Sequence, residues 1–289
     1  MVSVRKKKIK GKEYLYAEHS FRLPDSSIKK VSKLIKKPSD QSSEEVKAFL
    51  LRKEIEFNQR YALSNYKTDA ALTHDKIMKL ERTKIEYKNL LKNITKNQMK
   101  DIIDRFTVNF TYESNAIEGN SLTLKDVTLI LNENIMPEGK ELREIYETRN
   151  ARIANEMLFK NKIRINLKGI LDLHSVITKD TGVSQGFKKL PNFLLMRNVK
   201  TTPPEKVEGE IRELLEWYNN MKDKLHPIKL ASDFHGRFER IHPFEDGNGR
   251  VGRVLINAML LDSGYPPLII RKTSRQSYFA ALDAHDNKY

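Results

Sequence analysis

From Ser42 to Lys100 the sequence contains neither proline nor glycine. Across that stretch Phe49, Leu50, Ile55, Phe57 and Leu63, then Ile77, Leu80, Ile85, Leu90 and Leu91, recur at roughly helical spacing, so the segment is expected to be helical. Two long, charged helices are expected, parted near Thr73-His74-Asp75, where threonine or aspartate can cap a new start. Ahead of them, residues 1–40 carry two short segments around Pro24-Asp25-Ser26-Ser27, the turn chemistry of a small β-hairpin. Behind them, Ser121-Leu122-Thr123 caps a helix that Pro137-Glu138-Gly139 closes. Further helices are expected from Glu141 to Phe159, Gly169 to Lys179, Val207 to Lys224, Ile228 to Ile241 and Leu255 to Leu261, the last stopped by Gly264-Tyr265-Pro266-Pro267. Residues 182–204 break the pattern with two glycines and three prolines and read as a hairpin or extended loop. The fold class is mainly α.

Charge divides the chain more sharply than hydropathy does. Residues 1–100 hold 25 Lys and Arg against 12 Asp and Glu, leaving 28 against 26 for residues 101–289. A basic accessory region, 1–100, is therefore expected ahead of a nearly neutral domain, 101–289. Any contact with nucleic acid or another acidic partner belongs to the front, where Tyr14, Tyr16 and Phe21 stand among lysines. The long helices at 42–100 offer a route to a homodimer. The chain has no cysteine, which removes disulfides, thiol catalysis and cysteine-ligated zinc. No apolar run is long enough to span a membrane, and no apolar segment follows the basic start, so a cytoplasmic protein without membrane contact is expected.

The chemistry concentrates in one segment, Arg240-Ile241-His242-Pro243-Phe244-Glu245-Asp246-Gly247-Asn248-Gly249-Arg250-Val251-Gly252-Arg253. Its glycines fit G-x-G-x-x-G, but Ile228, Ala231, Phe234, Phe238 and Ile241 step up to it at helical spacing, whereas a dinucleotide fingerprint follows a strand. No G-x-x-x-x-G-K-[ST] occurs either. What the residues describe is a helix, a tight loop bearing His242, and a second helix opening at Gly247-Asn248-Gly249. Exposed N–H groups at such a start, with the positive end of the helix dipole, suit a phosphate. Arg250 and Arg253, three apart, share a face from which both can grip phosphate oxygens. Asp246 is placed for a hard cation such as Mg²⁺. His242 is the nearby group able to accept a proton near neutral pH. The set suits transfer of a phosphorus group to a hydroxyl. His174, His226 and His235 lack zinc-site spacing and are read as packing or capping residues.

These residues resemble the Fic-domain signature HPFx[DE]GNGRxxR at every specified position, and a looser resemblance extends from about residue 101 to the end. It implies a compact helical core with a short β-hairpin flap, and transfer of AMP from ATP to a Ser, Thr or Tyr hydroxyl of a protein. It further implies that His242 is the base, that Asp246 binds Mg²⁺, and that Gly247, Asn248 and Gly249 cradle the α- and β-phosphates. Arg250 and Arg253 would take the outer ones. Phe244 is expected to anchor the loop. The chain stops soon after Ser277-Tyr278-Phe279-Ala280-Ala281-Leu282, where family members commonly continue.

Ser114-Asn115-Ala116-Ile117-Glu118-Gly119-Asn120 resembles the family's [ST]xxxE[GN] inhibitory motif, which implies an inhibitory helix near 113–120. Glu118 presented to Arg253 would take a donor needed by ATP and add negative charge where phosphate must sit. The same carboxylate can instead orient water and remove AMP. Other readings are a different nucleotidyl or phosphorus transfer, and a nucleotide-sensing module whose basic region binds nucleic acid. The segment 185–199 resembles the flap that pairs with the target backbone, although Gly186-Phe187-Lys188 departs from the family pattern by its lysine. Protein substrate contact is assigned there, self-modification included.

Overall fold

The structure is a computed structural model that describes residues 2–192 and 200–286. The chain forms two compact units, residues 1–92 and 93–289. The division falls shortly before the charge boundary at residue 100.

The first unit is a three-stranded antiparallel sheet on helices. Strands β1 (Val2–Ile9), β2 (Lys12–Arg22) and β3 (Ile28–Ile35) lie in the order β1-β2-β3. The expected turn joins β2 to β3 between Leu23 and Ser27. A second hairpin was not expected: Lys10 and Gly11, with φ of 48° and 80°, make the tight turn between β1 and β2. Its signal was hidden because Lys10-Gly11 lies in a run that reads as charge.

One face of this sheet supplies Leu15, Ala17, Phe21, Val31 and Ile35 to a core shared with Val46, Phe49, Leu50 and Phe57 of α1 (Glu44–Asn65). The alternation of β2 fixes which side chains turn inward, since a one-residue slip would expose all of them. Phe21 is thereby in the core at 6% exposure and is withdrawn from the aromatic residues expected to meet a ligand. Helix α2 (His74–Asn93) buries Ile77 with Ala62 and Leu72.

The second unit is helical: α3 (Lys96–Ile117), α4 (Leu124–Thr128), α5 (Leu142–Phe159), α6 (Leu167–Ile177), α7 (Val207–Met221), α8 (Pro227–Ile241), α9 (Asn248–Asp262) and α10 (Arg275–Asp286). Helix α3 opens on a capping box between Thr95 and Gln98, so a third helix begins inside the stretch read as two. It then runs unbroken to Ile117, because no glycine or proline intervenes before Gly119. The expected short inhibitory helix is therefore the last turn of a long one. Thr123 and Asp126 form the capping box of α4, which ends in a single π turn, Leu129–Glu133. Helix α9 is buried almost throughout and is surrounded by α3, α5, α6 and α8. Among the described residues no helix is long and apolar enough to cross a membrane.

Candidate active site

Helix α8 ends at His242, whose backbone adopts the left-handed conformation (φ 50°, ψ 62°) while its N–H still donates to Phe238 O at 2.9 Å. The chain thus leaves the helix abruptly and turns back through Pro243 and Phe244. Phe244 is fully buried, stacked on His174 at 3.8 Å between ring centroids, as expected of an anchor. Gly247, at φ 85°, makes the second left-handed turn and launches α9.

The loop is braced from within. Asn248 accepts from Phe244 N and donates to Phe244 O, both at 2.9 Å. Its side chain is committed to shaping the loop, leaving its backbone to face a ligand. His174 Nε2 donates to the Asp246 carbonyl at 3.1 Å. Burial pushes this imidazole down to about 4, so it is neutral near pH 7. His242 Nδ1 lies 3.4 Å from the Glu239 carbonyl, which can only accept, so Nε2 is the nitrogen that carries the lone pair.

Asp246, half-exposed, meets Arg143 of α5 and, at 3.2 Å, Arg250 of α9. Burial opposes its ionisation, but Arg250, the Gly247 N–H and Arg143 outweigh that and hold the carboxyl below its usual range. An ionised carboxylate open to solvent beside a positive helix end suits a Mg²⁺ that keeps waters and takes its other ligands from phosphate. Arg250 is itself buried between Asp246 and Glu147, the latter at 2.9 Å. Glu147 also accepts from Arg143 Nε at 3.2 Å and from Asn120 Nδ2 at 3.0 Å.

The segment 114–120 meets α9 directly. Arg253, 2% exposed at its side chain, donates from Nε to Ser114 Oγ and from Nη2 to Ser114 O, each at 2.9 Å. Its Nη2 reaches Glu118 Oε1 at 2.7 Å. A methyl group on Gly249 would lie 2.1 Å from that same oxygen, so the Glu118 carboxylate rests against the first turn of α9. Gly119 follows at φ 99°, the left-handed residue that ends α3. Arg275 Nε donates to Ile117 O at 2.8 Å, and Glu113 binds Arg271 at 3.1 Å and Lys272 N at 2.7 Å. The end of α3 is thus held from the segment 271–275.

Asp246, Arg250, Arg253, Ser114 and Glu118 accordingly meet at the helix start that Gly247, Asn248 and Gly249 open, His242 lies on the loop that leads into it, and Gly119 and Asn120 follow the end of α3. His226 caps α8 and pairs with Tyr265, and His235 meets Tyr278 at 2.7 Å. Arg143, Glu147, Glu239 and Arg275 were not singled out from sequence; only the i,i+4 spacing of Arg143 and Glu147 could have drawn notice to a pair.

Residues 193–199 of the expected flap lie outside the described residues. Lys188, at its near end, points inward: it is 4% exposed and its Nζ donates to Asn192 Oδ1 at 2.8 Å and Thr201 Oγ1 at 3.1 Å, with Ile241 O at 3.5 Å. Burial pushes it down to about 8. Its backbone N–H donates to Pro243 O at 2.9 Å, and Asn192 donates to Phe244 O at 2.9 Å. The lysine that departs from the family pattern is a prop under the His242 loop.

The Fic/DOC family profile matches residues 164–260. The chain is similar to a protein named protein adenylyltransferase Fic from Nematostella vectensis, 30% identical over 190 residues that cover 64% of this chain and 44% of that one. It is similar also to a protein of the same name from Drosophila willistoni, 31% identical over 175 residues, 59% of this chain and 35% of that one. The chain therefore spans less than half the length of these curated relatives. Among solved structures, a Fic domain containing signaling protein from Bacteroides thetaiotaomicron superposes with a TM-score of 0.63 at 30% identity, covering 69% of this chain and 78% of that one.

Proposed function

The chain belongs to the Fic/DOC family, and from that premise we propose that it transfers AMP from ATP to a hydroxyl of a protein, itself included, with Glu118 restraining the reaction. The observation that supports this reading is the single loop that leads from His242 to the α9 start, where Asp246 pairs with Arg250 and Glu118 with Arg253. His242 takes the proton of the acceptor hydroxyl. The hydroxyl oxygen attacks the α-phosphorus, the bond from that phosphorus to the oxygen bridging to the β-phosphate breaks, and pyrophosphate leaves. The N–H groups at Asn248 and Gly249, and that of Gly247 once it leaves the Asp246 carboxylate, face the α- and β-phosphates, and Arg253, once released, faces the outer ones. Mg²⁺ held by Asp246 would neutralise charge on the leaving pyrophosphate. Here Arg143 and Arg250 serve to keep Asp246 ionised and aimed.

Glu118 restrains the reaction in two ways: it pairs with Arg253, and it sets a negative charge against Gly249 where phosphate must lie. A bias of roughly 1–3 kcal/mol toward the paired state changes activity about 5–150-fold. The test compares α-labelled with γ-labelled ATP, in Mg²⁺, for the native chain, Glu118→Gly, and Glu118→Gly with His242→Ala. Label arriving from the α position alone, stronger in the first variant and lost in the second, supports AMP transfer, the base and the restraint together. Label from the γ position, or none from either, overturns it.

A further inference from the structure

The outer face of the N-terminal sheet gathers tyrosines among cations. On β2 the side chains opposite the core are Lys12, Tyr14, Tyr16, Glu18, Ser20 and Arg22, and the register places Arg5 and Leu34 on either side of Tyr16, Lys7 beside Tyr14, and Lys30 beside Ser20. Tyr14 is 36% and Leu34 55% exposed. Lys7 Nζ stands over the Tyr16 ring at 4.8 Å, so cation and ring share one face. The acid of this face, Glu18, is 10% exposed at its side chain and already paired with Arg5 at 3.1 Å. What meets solvent is therefore the Tyr14 ring and an apolar leucine, with the half-buried Tyr16 ring under Lys7, bordered by Arg5, Lys7, Lys12, Arg22 and Lys30.

We propose that this face binds single-stranded nucleic acid, its bases stacking on Tyr14 and Tyr16 and its phosphates meeting the surrounding cations. Charge complementarity selects a polyanion, since the exposed ionic groups of the face are cationic. The rings select among polyanions. Two tyrosines two residues apart on a strand stand about 7 Å apart and point the same way, so each can take one base. A duplex hides its base faces, and an anionic lipid surface or acidic peptide offers no flat rings to stack. Lys7 is a long exposed side chain that a phosphate can draw off Tyr16 as a base replaces it. The inference is independent of the transferase reading, because none of these residues belongs to that site.

The test measures anisotropy of a labelled uridine or thymidine homopolymer with the full chain. Binding is expected to fall steeply between about 50 and 200 mM salt. Tyr14→Ala and Tyr16→Ala are each expected to weaken it by on the order of tenfold, while Tyr16→Phe, which keeps the ring, stays near native. Circular dichroism of each variant guards against misfolding, and the Phe variant keeps the test valid if an Ala variant unfolds. No binding at low salt overturns the proposal. So does equal binding of duplex with indifference to both tyrosines, which would mean charge alone, and so does tighter binding to phosphatidylserine vesicles or polyglutamate than to the oligonucleotide.

Discussion

The Glu118 carboxylate lies 2.7 Å from Nη2 of Arg253, and the same oxygen occupies the space into which a methyl group on Gly249 would project. One carboxylate is thereby tied to a buried cation and to a glycine at once. Gly249→Ala must displace it, which costs stability in the native chain. In the Glu118→Gly background that cost should largely vanish, leaving the 2.8 Å approach to Arg253. A double-mutant cycle by thermal melting should give a coupling of about 0.5–3 kcal/mol, and strict additivity would mean the contact is not made.

Arg275 caps the end of α3 at Ile117, the residue before Glu118. Removing that donor with Arg275→Met should fray the last turn by about 1 kcal/mol and loosen Glu118 without touching it. Basal label transfer from ATP should rise, by less than in Glu118→Gly. A rise equal to or above that variant, or none, would detach the cap from the restraint.

Lys188 supports the loop carbonyls at Ile241 and Pro243 on either side of His242. Lys188→Met keeps the length and the backbone bond to Pro243 but removes the Nζ donors to Asn192, Thr201 and Ile241, so the His242 loop should lose its support while the α9 start is unaltered. Turnover in the Glu118→Gly background should fall on the order of tenfold or more, with ATP affinity almost unchanged. Equal losses in both would point to general unfolding of the site.

His174 is fully buried, and burial holds it down to about 4 against 6.5 when unfolded. Between those values the unfolded chain binds the extra proton, so stability is complete above pH 6.5 and is lost as pH falls toward 4. The full shift amounts to about 3 kcal/mol. Melting curves of the native chain and His174→Gln across this range should show a shallower acid slope in the variant. Parallel slopes would assign the acid sensitivity elsewhere.

Much of the site was legible because its motif is contiguous. His242, Asp246, the glycines, Arg250 and Arg253 sit within three turns of chain, and their order alone announces a helix end, a loop and a helix start. Glu118 was legible only through its likeness to a known pattern. Arg143, Glu147, Arg275 and the inward turn of Lys188 were not, because each acts on a residue far off in sequence, and an isolated charge on a helix looks the same whether it meets solvent or a buried partner. Asn248 shows the same limit: its place in the motif suggests a ligand contact, while its side chain is spent on Phe244.

By itself, then, the sequence determined the helical class, the absence of thiol chemistry, the basic front and the loop on which the chemistry stands, since these follow from local propensity, composition and near-neighbour spacing. Only the tertiary structure decided which carboxylate faces Arg253, that Phe21 is core while Tyr14 and Tyr16 share the outer sheet face, and that Lys188 looks inward. Those are outcomes of strand register and helix packing, where contacts form between residues that no local rule relates.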